Sequence, residues 1–214
     1  MTRDEGVALI HQQLGFRSDL AAEIVANLQL AQTTLELMPT KPWFLTSEDS
    51  FAATVIGEER IPIPLDFIQE VEDAVFKYRP DAYPDEDEID LVKDDYDQLR
   101  LNFREEPDGP PAAYALVGEY FRIFPKPDAV YQVRLIYYAK DTVLDTNIEN
   151  KWLKHVPLLL LGSAGEMMTG GIRDTEASKK FKDWIALGSQ ILNSHSESRL
   201  MANRSNMQVG GPHA

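Results

Sequence analysis

The stretch Tyr114-Ala-Leu-Val-Gly-Glu-Tyr-Phe-Arg-Ile-Phe-Pro-Lys-Pro-Asp-Ala-Val-Tyr-Gln-Val-Arg-Leu-Ile-Tyr-Tyr138 decides the fold of this chain. Apolar residues alternate through Phe121 and Ile123 and again from Val130 to Tyr138, the two-residue period of strands with one buried face. Pro125-Lys-Pro127-Asp128 separates the two runs, which predicts a hairpin with a proline-stiffened loop. Tyr114, Tyr120, Phe121, Phe124, Tyr131, Tyr137 and Tyr138 crowd the same segment. Flat rings suit stacking on sugars, but packing between strands accounts for them more simply, because alternation sends part of the set to each face. Nothing in the stretch is poised to react.

Upstream, Glu105-Glu-Pro-Asp-Gly-Pro-Pro111 is turn-rich and leads into the hairpin. Residues 81–97 form an acidic insert, with Asp85-Glu-Asp-Glu88, Asp90, Asp94, Asp95 and Asp97 around Ile89, Leu91, Tyr96 and Leu99, and predict an exposed loop with a short helix. Leu65 to Tyr78 has mixed periodicity and reads as a turn followed by a short helix or strand. From Pro42, the run Trp43-Phe44-Leu45, Ala52 to Ile56, Gly57-Glu58-Glu59 and Arg60-Ile-Pro-Ile-Pro64 predicts strand, turn, strand, with prolines holding the second strand at an edge. These pieces form one β module over residues 42–145, whose exit begins at Asp141 and Thr142.

Helical spacing flanks the module on both sides. Thr2-Arg-Asp-Glu5 fits a capping box ahead of Val7, Ile10 and Leu14, and Gly15 is placed to end that helix. Ser18 is the expected cap of a longer helix carrying Leu20, Ile24, Leu28, Ala31 and Leu35, stopped by Pro39. Downstream, Trp152 and Leu153 precede Pro157 in the first turn of a helix that Gly170-Gly171 ends. Asp174 caps a last helix with Phe181, Trp184, Ile185, Gly188, Ile191 and Leu192 on one side, a face expected to complete the bundle with the N-terminal helices. The fold class is α+β. Residues 1–41 and 146–194 make an antiparallel helical bundle, 42–145 an inserted antiparallel β-sandwich or barrel-like module, and 195–214 an extended C-terminal arm dotted with apolar residues.

The 214 residues carry 43% hydrophobic and 26% charged side chains, ordinary for a folded protein of one domain with an insertion. A net charge of −14 opposes general nucleic-acid binding, which needs a basic footprint. The charge is uneven, with 8 Lys and Arg against 5 Asp and Glu in residues 151–214, leaving 13 against 30 in residues 1–150. There is no cysteine, so disulfides, thiolate nucleophiles and Cys-ligated metals are excluded. The charged N-terminus and a longest leucine run of only Leu158 to Leu161 predict a protein without signal segment or membrane span, made in the cytoplasm.

Catalytic patterns are incomplete. The acidic insert suggests a divalent-cation site or a metal-dependent hydrolase built on Asp85 to Asp97. A calcium loop starting at Asp85 lacks the glycine at its sixth position and the glutamate at its twelfth. His11, His155, His195 and His213 show no zinc-helix spacing. Gly162-Ser-Ala-Gly165 is not a nucleophile elbow, and it lacks the Lys-Ser/Thr ending of a phosphate loop. The glycines read as close helix contacts and a stop.

The pattern Tyr114-x-Leu-x-Gly-x-x-x-Arg-Ile-Phe-Pro-x-Pro-Asp128, followed by Tyr137-Tyr138, resembles the head-to-tail adaptor proteins of short-tailed bacteriophages. The likeness continues in order through Arg60-Ile-Pro-Ile-Pro-Leu-Asp-Phe67, Tyr96-Asp-Gln-Leu99, Asn147 with Trp152-Leu153 and Pro157, and Asp174 onward, leaving residues 81–90 and the tail sequence unspecified. It implies a helical bundle interrupted by a β module, assembled as a homo-oligomeric ring, usually twelvefold, that binds the portal protein and presents a platform to the tail tube or nozzle. Packaged DNA would pass through the lumen without specific binding, in a virion neck protein with no catalytic residue, cofactor or metal and no membrane contact. The helical part with the C-terminal arm would face the portal, with Arg199, Leu200, Met201, Arg204, Met207 and Val209 as interface residues and Leu200 and Met201 as apolar anchors. The alternatives are the metal-dependent hydrolase and a β-sandwich carbohydrate-binding module.

Overall fold

The first helix shows how local signals set the chain path. In a computed structural model that describes residues 1–71, 77–80, 89–145, 149–172 and 174–208, Thr2 and Glu5 form the expected capping box at the start of α1 (Arg3–Gln13). The Glu5 amide donates to Thr2 Oγ1 at 3.3 Å, and the Thr2 amide donates to Glu5 Oε2 at 2.8 Å. Past the helix, Gly15 at φ +72° and Phe16 at φ +58° turn the backbone through the left-handed region. Ser18 does not cap α2 directly. It opens a 3-10 turn, Ser18–Leu20, so α2 starts later, at Ala21–Glu36, with no side-chain cap.

The chain divides into a unit of residues 1–45 and 141–214 and a unit of residues 46–140. Trp43–Leu45, expected to begin the β module, is a 3-10 turn that clusters with the helices. The reason is aromatic burial: Phe44 stacks on His155 at 5.0 Å and meets Trp152 edge-on at 5.1 Å. The helical unit continues with α4 (Lys151–His155), α5 (Pro157–Ile172) and α6 (Thr175–Gln208), while α3 (Tyr96–Asn102) belongs to the other unit. Pro157 starts α5, where its missing N–H costs no helical bond. α5 is the hub, packed against α2 and α6 and also touching α1 and α4. The apolar face of α6 therefore completes the bundle chiefly through α5. Ile24, Leu28, Ala31, Leu159, Leu160, Leu161, Ala164 and Phe181 make the buried centre.

The second unit contains β1 (Thr46–Ala53), β2 (Arg60–Pro62), β3 (Phe67–Glu70), β4 (Lys77–Pro80), β5 (Ile89–Asp90), β6 (Val92–Lys93), α3 (Tyr96–Asn102), β7 (Ala113–Val117), β8 (Tyr120–Phe124) and β9 (Tyr131–Ala139). One sheet runs β1-β9-β4-β5 with β3 also on β9, and the other runs β2-β8-β7-β6. All pairs are antiparallel except β6 with β7. The expected hairpin across Pro125 to Asp128 is absent, because β8 and β9 belong to different sheets. β8 instead forms a hairpin with β7 through Gly118, whose φ is +61°. Likewise β1 and β2 part company, β1 pairing β9 and β2 pairing β8 as an edge strand.

Both crossings let inner faces oppose each other. Tyr131, Val133, Leu135, Tyr137 and Ala139 from β9 bury against Ile61, Tyr114, Phe121 and Ile123 of the other sheet, with Leu91 of the acidic segment in the same core. The crossings are laced together. The Thr54 amide donates to the Tyr131 carbonyl at 2.9 Å, the Gly57 amide to the Pro127 carbonyl at 2.8 Å, and the Tyr131 hydroxyl to Asp128 Oδ1 at 2.6 Å. On the outer face of the second sheet, Leu99 of α3 packs with Ala113, Ala115 and Phe124. Burial, with the neighbouring Glu70 carboxylate adding to it, pushes the Tyr114 phenol up, so this ring is a neutral core member at any physiological pH. Most of the aromatic cluster builds cores, with Tyr120 exposed and Tyr138 half-buried. Tyr114, Phe121, Phe124, Tyr131 and Tyr137 are all buried.

Candidate assembly interface

The expected interface residues follow the last helix in the chain, so the anchoring of that helix to α5 decides where they lie. Asp174 Oδ1 accepts from the Ala177 amide at 2.9 Å, the expected cap. Glu166 of α5 accepts from the Ser178 hydroxyl at 2.9 Å and pairs with Lys182 at 3.3 Å. Glycine makes the closest approaches. A Cβ on Gly162 would lie 2.9 Å from the Phe181 carbonyl oxygen, one on Gly165 2.4 Å from the Phe181 ring, and one on Gly188 2.5 Å from the Leu159 nitrogen. The two helices are therefore antiparallel and in backbone contact.

Because Gly188 meets Leu159, close to the start of α5, the remainder of α6 runs past its partner. α6 has 34 residues against 16 in α5, about 50 Å against about 24 Å at the α-helical rise. Side chains from Asn193 to Ser198 are exposed apart from half-buried Ser196. The extended arm expected over residues 195–214 is helix as far as Gln208. No Gly or Pro interrupts residues 189–209, and Ser194, Ser196 and Ser198 turn their hydroxyls onto the carbonyls of Ile191, Leu192 and Ser194. The missing breakers were the signal for this. Positions 199, 200, 201, 204 and 207 lie on the last turns of α6, with 200, 204 and 207 at the spacing of one side, while Val209 lies outside the described residues.

A second feature, which sequence reasoning missed, fixes where the chain re-enters the helical unit. Gln32, Glu36 and Asn150 are buried polar residues. Gln32 Nε2 donates to Glu36 Oε1 at 2.9 Å, and Asn150 Nδ2 donates to Gln32 Oε1 at 3.1 Å and to the Thr142 carbonyl at 3.0 Å. Glu36 Oε1 also accepts from the Asp141 amide at 3.1 Å. Asp141 Oδ2 and Asn150 Oδ1 then cap α4, taking the amides of Lys151 at 2.5 Å and Leu153 at 3.1 Å. Replacing Asn150 by Ala removes one cap and strands one buried acceptor, Gln32 Oε1, while the Thr142 carbonyl keeps Gln32 Nε2. The expected cost is about 2–3 kcal/mol, read as a lower urea midpoint with unchanged slope.

Among the described residues the other candidate chemistry does not converge. Residues 81–88 of the acidic insert lie outside the described residues; of the remainder, Asp95 caps α3 by accepting from the Asp97 and Gln98 amides, and Asp94 accepts from the Asp95 amide. Among the described residues no group of three or more His, Asp or Glu side chains could hold a metal ion. His155 is enclosed by Trp43 and Phe44, His11 meets Phe16 edge-on at 6.0 Å, His195 is exposed on α6, and His213 is outside the described residues.

Among the described residues no helix is long and apolar enough to cross a membrane. No curated protein matches the chain. A family model described as SU10 adaptor protein matches residues 4–207, which takes in both units and α6 almost to its end. The chain belongs to the SU10 adaptor protein family, a family of bacteriophage head-to-tail adaptors.

Proposed function

We propose that this protein assembles as a ring, twelvefold, that binds the portal protein through the end of α6 and receives the tail tube or nozzle through its β module. The family match carries this reading, because it extends over the arm as well as the two units. It supports a structural adaptor of the phage virion rather than an enzyme. Leu200 and Met201 serve as apolar anchors on the portal, with Arg199, Arg204, Met207 and Val209 beside them. The charge suits a DNA channel. With 30 Asp and Glu against 13 Lys and Arg in residues 1–150, most of the surface repels phosphate, so DNA slides through the lumen instead of sticking.

The test is to mix the purified protein with the portal ring of the same genome and image the product by electron microscopy. An added ring of twelve copies below the portal is the expected result. Portal rings unchanged beside free protein would sink the proposal.

A further inference from the structure

α2 has an outward face unlike the rest of the helical unit. Its buried side, Ile24, Leu28, Ala31 and Leu35, is spent on the core. The opposite side presents Ala22, Ala26, Gln29, Leu30, Thr33 and Thr34, all exposed, and continues into Leu37 and Met38. Leu30, Leu37 and Met38 are 55%, 73% and 50% exposed. From Ala21 to Met38 the one exposed charge is Glu23 in the first turn, since Glu36 is buried in the polar network. In a chain with 26% charged residues, several turns of outward helix without charge are unusual.

Three polar side chains on this face are closed onto the helix itself. Asn27 Nδ2 donates to the Glu23 carbonyl at 2.9 Å, Thr33 Oγ1 to the Gln29 carbonyl at 3.0 Å, and Thr34 Oγ1 to the Leu30 carbonyl at 2.8 Å. Covering the face leaves chiefly the Gln29 side-chain amide to be satisfied by the partner, so its desolvation penalty is modest. Charge then selects the occupant. A basic partner would be drawn to the acidic surface that dominates residues 1–150 and would gain nothing from a neutral strip. Two copies of a chain with net charge −14 repel wherever their acidic surfaces meet, and they approach best through a face whose one charge, Glu23, stands at its first turn.

We infer that the outward face of α2, centred on Leu30, Leu37 and Met38, packs against a second copy of this chain. The inference rests on the ring reading above and names the face that subunits share, but its test is read separately from portal binding. The full-length protein carrying the photocrosslinker p-benzoylphenylalanine at position 30 is irradiated alone over a range of concentrations and again with the portal ring. A covalent adduct of two copies through position 30 in either sample is expected. Its absence from both, or an adduct with the portal protein alone, overturns the inference, whereas failure of the portal complex seen by microscopy touches only the proposed function. As a second measurement, Leu30→Glu with Leu37→Glu places like charges on the face at exposed positions. That variant should keep the wild-type melting temperature and weaken association between copies at least tenfold by sedimentation. Unchanged association would equally overturn the inference.

Discussion

Removal of residues 195–214 is expected to abolish binding to the portal ring, with affinity falling by roughly 100-fold or more, while the melting temperature stays within a few degrees of wild type. The two halves of this prediction have separate physical grounds. Stability is held by the part of α6 that lies on α5, from the Asp174 cap through Phe181 to Gly188; the helix beyond it shows exposed side chains at Asn193, Ser194, His195, Glu197 and Ser198 and contributes little to the core. On the proposed function, affinity comes from Leu200, Met201 and Met207. Fully burying one such side chain is worth about 1.5–3 kcal/mol, and the proposed ring would engage many arms at once, so losses compound. Co-sedimentation with portal rings measures the first quantity and calorimetry the second. Truncated protein that still sediments with the portal at wild-type concentration would show that the contact lies elsewhere.

Gly188→Val is expected to destabilise the helical unit by about 3 kcal/mol, within the range found for overpacked cores. A Cβ at this position would lie 2.5 Å from the backbone nitrogen of Leu159 and 2.8 Å from its Cα. Those are main-chain atoms of a helix, so no side-chain rotation relieves the overlap and the two helices must separate. Separation also loosens Phe181 from Gly162 and Gly165, which the same close approach seats. A total stability of about 5–15 kcal/mol makes this a large fraction. Gly170→Ala is the control. An added Cβ there meets nothing within 4 Å, so the exchange removes only glycine's helix penalty and should stabilise by up to about 1 kcal/mol. Urea unfolding of both variants measures the contrast, and a Gly188→Val midpoint equal to wild type would refute the tight-packing account.

Much of the helical framework is legible in the sequence because its signals are local. The Thr2–Glu5 capping box, the turn at Gly15, Pro157 in the first turn of α5 and the Asp174 cap each act within a few residues. Their chemistry does not depend on the rest of the molecule. The arm was misread for a related reason. Serine and asparagine suggested an extended segment, but serine hydroxyls that bond back to carbonyls are compatible with helix, and no residue between 189 and 209 breaks one.

Strand pairing was not legible. Alternation in Phe121 to Tyr138 states which side of each strand is buried, and that part agrees with the core. It says nothing about which strand lies alongside, and a segment of Pro-Lys-Pro-Asp serves equally as a hairpin loop or as a crossing between sheets. The choice is made by burial across the sandwich, where Phe67 meets both Phe121 at 5.7 Å and Tyr137 at 5.5 Å. Leu30 and Leu35 make the same point on α2, being the same residue type on one helix, one exposed and one buried. By itself the sequence determined the α+β class, the caps of α1 and α6, the acidic balance and the family resemblance, because these follow from residue types and short spacings. The tertiary structure alone decided the sheet partners, the buried Gln32–Glu36–Asn150 network and which side of α2 faces outward, because each arises from contacts between segments distant in the chain.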